Sequence, residues 1–121
     1  MENISECIID DQGIFKYIQI LVQDIKDETK KKVIIRGNID CNYHKNLFDN
    51  FIRNYSQEHP KEYEQLKFTC VGGGRIERTC NHIKVYGYSY GYGQADHAVT
   101  CEILKNNLPK FYEIEYSNEG Y

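Results

Sequence analysis

Six of the nine glycines of this chain fall between residues 72 and 93, and that crowding restricts what the segment can become. The run reads Gly72-Gly73-Gly74-Arg75, then His82-Ile83-Lys84-Val85-Tyr86, then Gly87-Tyr88-Ser89-Tyr90-Gly91-Tyr92-Gly93, and it closes on Gln94-Ala95-Asp96-His97. Glycine lacks the Cβ that keeps a ligand away from backbone N–H groups. A strand, a Ser/Gly loop and a helix start, in that order, present those groups and a favourable dipole to an anion. Phosphate is the anion such a segment suits.

The rest of the composition narrows the class. At 121 residues the chain is long enough for one domain with one substantial core. Its 40% hydrophobic and 27% charged residues fit an ordinary folded domain. A net charge of −3 argues against nucleic-acid binding, which calls for a basic surface. No apolar run approaches the roughly 18 residues of a spanning helix, so no membrane partner is expected. Met1-Glu2-Asn3 does not open like a secretory signal. Cys7, Cys41, Cys70, Cys80 and Cys101 are odd in number and contain no Cys-x-x-Cys pair, which reads as reduced thiols in a cytoplasmic protein.

Residues 1–12 read as a loose, polar start before a domain over 13–121. Ile14 to Val22 and Val33 to Arg36 are rich in β-branched residues and read as strands. Tyr43, Leu47, Phe48, Phe51, Ile52 and Tyr55 recur at helical spacing, with Asp40 or Asn42 as the expected cap and Pro60 beyond the end. Leu66 to Val71, Arg75 to Cys80 and His82 to Tyr88 read as strands, Ala95 to Leu104 as a second helix, and Phe111 to Tyr116 as a last strand. The expectation is a single-domain α+β fold: a mixed sheet of about six strands flanked by two helices.

Four features carry candidate chemistry. His44 falls in the first turn of the first helix, where the positive helix end disfavours imidazolium. A histidine kept neutral accepts a proton from water or attacks an electrophile itself. An ordinary surface histidine is the competing reading. Lys16 shares a strand face with Ile18 and Ile20, which suits a lysine reaching the rim of a cleft; an edge-strand lysine that discourages aggregation is the alternative. Gly72-Gly73-Gly74-Arg75 reads as a tight loop aiming a guanidinium at phosphate, or as a plain hairpin turn. It is not a P-loop, since no Gly-Lys-Ser/Thr follows. The N–H groups of Ser89, Tyr90 and Gly91, with the Ser89 hydroxyl, suit a phosphoryl cage. His97, in the first turn of the second helix, reads as a residue that hydrogen-bonds within the site or holds a loop, structural rather than catalytic. The four histidines form no metal quartet, and no metal or cofactor is expected.

The order of these pieces is more specific than any one of them. Gly13-Ile14-Phe15-Lys16-Tyr17, Ile35-Arg36-Gly37, Tyr43-His44-x-x-x-Phe48-Asp49, Gly72-Gly73-Gly74-Arg75-Ile76, Val85-Tyr86-Gly87-Tyr88-Ser89, Tyr92-Gly93, His97-Ala98 and Asn118-x-Gly120-Tyr121 follow one another along the chain. From about residue 13 onward this resembles the 14-kDa phosphohistidine phosphatase family, which includes the Janus and Ocnus proteins.

The resemblance implies a metal-independent hydrolase that removes phosphate from protein histidine, or from phospholysine. It implies His44 as the catalytic histidine and Lys16 as a substrate contact. Ser89, Tyr90 and Gly91 match the phosphate-binding loop, and Arg75 a nearby arginine. Gly91 stands where alanine is usual, and Tyr90 is bulkier than expected. On this reading His44 takes a proton from an in-line water; direct attack giving a phosphoenzyme is the alternative. Phosphohistidine-containing proteins are the expected substrates, and the chain is expected to act as a monomer. The competing function is a regulatory protein of the Janus/Ocnus type that binds phosphate or a phosphoprotein without turnover.

Overall fold

The computed structural model describes Met1 and residues 3–119. Gly120 and Tyr121, the end of the terminal motif, lie outside the described residues. In chain order the elements are β1 (Cys7–Ile8), β2 (Gly13–Asp24), β3 (Lys31–Gly37), α1 (His44–Glu58), α2 (Pro60–Glu64), β4 (Leu66–Arg78), β5 (His82–Tyr86), α3 (His97–Asn107) and β6 (Glu113–Tyr116).

The strands form one six-stranded sheet ordered β1-β3-β2-β4-β5-β6. It is mixed: β1 pairs with β3 in parallel, as β5 does with β6, and the other pairs are antiparallel. One core packs beneath α3, around Phe15, Tyr17, Ile76, Ile83, Val85 and Leu104. The other packs beneath α1 and α2, around Ile18, Ile20, Val22, Ile34, Leu47 and Tyr55. The alternation read in β2 therefore sends Phe15 and Tyr17 to one layer and Ile18, Ile20 and Val22 to the other. Each fully buried aliphatic side chain there contributes about 1.5–3 kcal/mol. The result is an α+β domain with helices on both faces of the sheet.

Several local expectations change. The glycine triplet is not a loop. Residues 66–78 are one strand, with Gly72, Gly73 and Gly74 paired to Gln19, Ile18 and Tyr17. A bulge beside Gln19 and Ile20 leaves Val71 as the extra residue. A third helix, α2, starts at Pro60, which takes the first helical position its missing N–H allows. The cap of α1 is Tyr43, with no side-chain hydrogen bond, rather than Asp40 or Asn42. The N-terminal stretch read as loose contains β1 and buries Ile4 against the α1 layer. All five cysteines are unpaired. Among the described residues no helix is long and apolar enough to cross a membrane.

Candidate active site

The start of α1, the first half of β2 and the turn between β5 and α3 meet around an open cleft of about 550 Å³. Lys16, Tyr43, His44, Ser89, Tyr90 and Gly91 line it, with Asn42, Lys45 and Tyr92 beside them. The long β2–β4 pair makes this possible. Lys16 and Arg75 are cross-strand partners on the face covered by α1, so two cations stand side by side next to His44. Like charges directly opposed across a sheet repel one another.

His44 is buried, and its Nε2 lies 2.9 Å from the Gly74 carbonyl oxygen. A carbonyl only accepts, so Nε2 carries the proton and the neutral ring keeps its lone pair on Nδ1. A Cβ added at Gly73 would stand 2.6 Å from His44 Cδ2, so this edge of the ring rests on bare backbone. Nδ1, on the opposite edge, has no hydrogen-bond partner among the described residues. The His44 pKa is lowered, first by burial, then by Lys16 and Arg75, against the opposing pull of the Gly74 carbonyl. Helix-end charge is the cause expected from sequence; burial is the larger one.

The loop after β5 is a closed turn. Ser89 and Gly93 exchange backbone hydrogen bonds at 2.9 and 2.8 Å, and the Tyr92 N–H donates to Ser89 Oγ at 3.1 Å. Gly93 has φ 85°, a conformation that favours glycine. The Gly73 N–H donates to the Gly93 carbonyl, and the Ala95 N–H to the Gly73 carbonyl, both at 3.0 Å. These bonds pin the turn to β4, close to where His44 rests. Tyr92 also packs edge-on against Phe48 of α1, with ring centres 6.0 Å apart.

The turn corrects one expectation. The Ser89 N–H is engaged within the turn, so it is not part of an open amide cage. The Tyr90 and Gly91 N–H groups have no hydrogen bond among the described residues, and the Ser89 hydroxyl proton remains free to donate. Arg75, the half-buried cross-strand partner of Lys16, bears on His44 electrostatically but does not line the cleft. Tyr43, Lys45 and Tyr92 are cleft residues that spacing alone does not single out. The Tyr43-His44 and Tyr92-Gly93 pairs were the available signal.

His97 lies in the opposite layer and is fully buried. Its Nε2 donates to the Gly87 carbonyl at 2.8 Å, and its Nδ1 accepts from the Tyr17 hydroxyl at 2.5 Å. Tyr17 in turn meets Thr100 Oγ1 at 3.0 Å, to which Gln19 Nε2 donates at 2.8 Å. This chain ties the end of β5 and the start of α3 to β2. Among the described residues no group of three or more His, Cys, Asp or Glu side chains is arranged to hold a metal ion.

The Janus/Ocnus family model matches residues 1–113. The chain belongs to the Janus/Ocnus family. Among similar proteins of this family, sex-regulated protein janus-A of Drosophila melanogaster is 44% identical over 115 residues, covering 93% of this chain and 78% of that protein. The janus-A protein of Drosophila pseudoobscura pseudoobscura is 41% identical over 118 residues, covering 93% of this chain and 74% of that protein. The 14 kDa phosphohistidine phosphatase of Homo sapiens is 35% identical over 124 residues, covering 98% of this chain and 94% of that protein.

Proposed function

We propose that this protein is a protein-histidine phosphatase that hydrolyses the P–N bond of phosphohistidine without a metal, with His44 as general base. One observation supports this reading most. A neutral imidazole with a free Nδ1 shares one cleft with Lys16, the Ser89 hydroxyl and the Tyr90 and Gly91 amides. The resemblance to a human protein named as a phosphohistidine phosphatase points the same way.

A phosphoramidate P–N bond is labile once the leaving nitrogen is protonated. The protein therefore supplies positioning and charge neutralisation. Lys16, Ser89 and the two loop amides hold the phosphoryl oxygens, and Arg75 adds to the positive field at His44. His44 Nδ1 takes one proton from an in-line water, whose oxygen bonds to phosphorus. The P–N bond breaks with its electron pair passing to the imidazole nitrogen, which takes up a proton from solvent, and His44 gives the proton it took back to solvent. Inorganic phosphate and histidine leave.

A second reading is a regulatory protein that binds phosphate or a phosphoprotein without turnover. The names of the janus-A relatives, which describe sex regulation rather than an activity, favour it. Incubation with a phosphohistidine peptide and a chelator separates the two. The phosphatase reading predicts catalytic phosphate release that the chelator leaves unchanged. Saturable binding with no release contradicts it and supports the regulatory one. Mass spectrometry after a neutral quench tests the base assignment: a phosphate-sized gain on His44 contradicts simple water activation.

A further inference from the structure

A second recess, of about 410 Å³, lies between α1, the end of β3 and the N-terminal segment. It shares no lining residue with the His44 cleft. Arg36 lines it, half-buried, with its guanidinium 5.1 Å above the Phe51 ring. Its Nη1 donates to the Ile35 carbonyl at 2.8 Å. Among the described residues no carboxylate forms an ion pair with it. Burial pushes its pKa down to about 10, so it stays cationic at neutral pH. A partly desolvated cation that has no counter-ion among the described residues is held at a cost in free energy, which an incoming anion recovers.

The surroundings indicate which anion. The guanidinium fork matches a carboxylate in two parallel hydrogen bonds. Glu58 is the carboxylate on the lining, and it discourages a doubly charged group. Ile8, Leu47 and Phe51 offer an apolar wall, and Ile8 is 56% exposed there. The side-chain NH₂ groups of Asn38 and Asn54 face no hydrogen-bond partner among the described residues, so donors remain available. The recess also falls in the usual range for small-ligand sites, about 300–1,000 Å³.

We propose that this recess binds a small organic carboxylate with an apolar body, its carboxylate on Arg36 and its body against the exposed Ile8. The site is separate from the proposed phosphatase centre and does not depend on that centre being active.

Titration of the full chain with 3-phenylpropionate, followed by amide and methyl NMR, tests it. Saturable shifts are expected at Ile4, Ile8, Arg36 and Leu47, and none at Ser89 to Tyr92. The neutral isostere 3-phenylpropanamide and the Arg36→Gln variant are each expected to bind at least tenfold more weakly. Arg36 pairs with Ile8 of β1, so its replacement risks the fold. Asn54→Trp supplies an independent check: this exposed position on α1 fills the recess and leaves Arg36 in place. It is expected to show the same loss. Absence of saturable shifts in the recess, equal binding of the amide, or parental affinity in Asn54→Trp overturns the proposal.

Discussion

His44 donates through Nε2 to the Gly74 carbonyl oxygen at 2.9 Å, and this bond decides which ring nitrogen is basic. Gly74 belongs to β4, one of the two central strands of the sheet, so the imidazole is oriented by the most firmly paired part of the fold. The bare backbone at Gly73 gives the ring its seat.

That seat makes Gly73→Ala a sharp test. The added methyl would meet His44 Cδ2 at 2.6 Å and the Tyr17 carbonyl oxygen at 2.8 Å. Overpacking of this kind costs about 1–3 kcal/mol, and His44 must shift. Urea unfolding should register the loss, and phosphate release should fall with it. Gly91→Ala is the contrasting case. A Cβ there meets nothing within 4 Å, and Gly91 does not have a positive φ. It should raise stability by about 0.4–1 kcal/mol and leave phosphate affinity unchanged in a parallel binding titration.

Lys16→Ala should raise KM for a phosphohistidine peptide, because it removes the cation at the cleft wall. It should also raise the His44 pKa, since Lys16 is one of the charges lowering it. The acid limb of kcat/KM then moves to higher pH. A pH profile with KM and the limb both unmoved would place the Lys16 ammonium outside the substrate's reach.

Acid should destabilise the fold through two histidines. His44 and His97 both have lowered pKa values in the folded chain, each chiefly through burial. Below the ordinary histidine value of about 6.5 the unfolded chain binds more protons than the folded one. Stability is therefore full above that value and falls as pH drops through the folded-state pKa values. Urea midpoints between pH 7 and pH 5 check the sign, and a His44→Ala, His97→Ala double variant that still folds should flatten the slope.

Tyr17→Phe should cost about 1–3 kcal/mol, because it leaves buried His97 Nδ1 without its donor. The site itself is in the other layer, so the proposed turnover per folded molecule should be kept at low temperature. Thermal unfolding together with specific activity separates the two effects.

The period-two pattern of β2 was readable because each face meets its own core, and so was the position of Lys16 on the α1 side. The helical stripe of α1 was equally plain. The glycine triplet was misread because a run of glycines signals a turn as readily as a close approach. What approaches Gly73 and Gly74 is His44 and His97, each distant in sequence. β1 was invisible for a similar reason: two residues become a strand only when β3 offers its edge. The Ser89 loop was legible in composition but not in bonding, since the Gly93 carbonyl that consumes its N–H is set by the turn's closure. The fold-level pattern could be read; the cleft positions of Lys45 and Tyr92 and the direction of each hydrogen bond could not.

The most direct test of the central claim is phosphate release from a phosphohistidine peptide by the parent protein and by His44→Ala, with amide NMR spectra verifying that both are folded. The account predicts chelator-resistant turnover by the parent and a loss of about 10²–10⁴-fold or more in the variant. A folded His44→Ala protein that releases phosphate at the parental rate would contradict it.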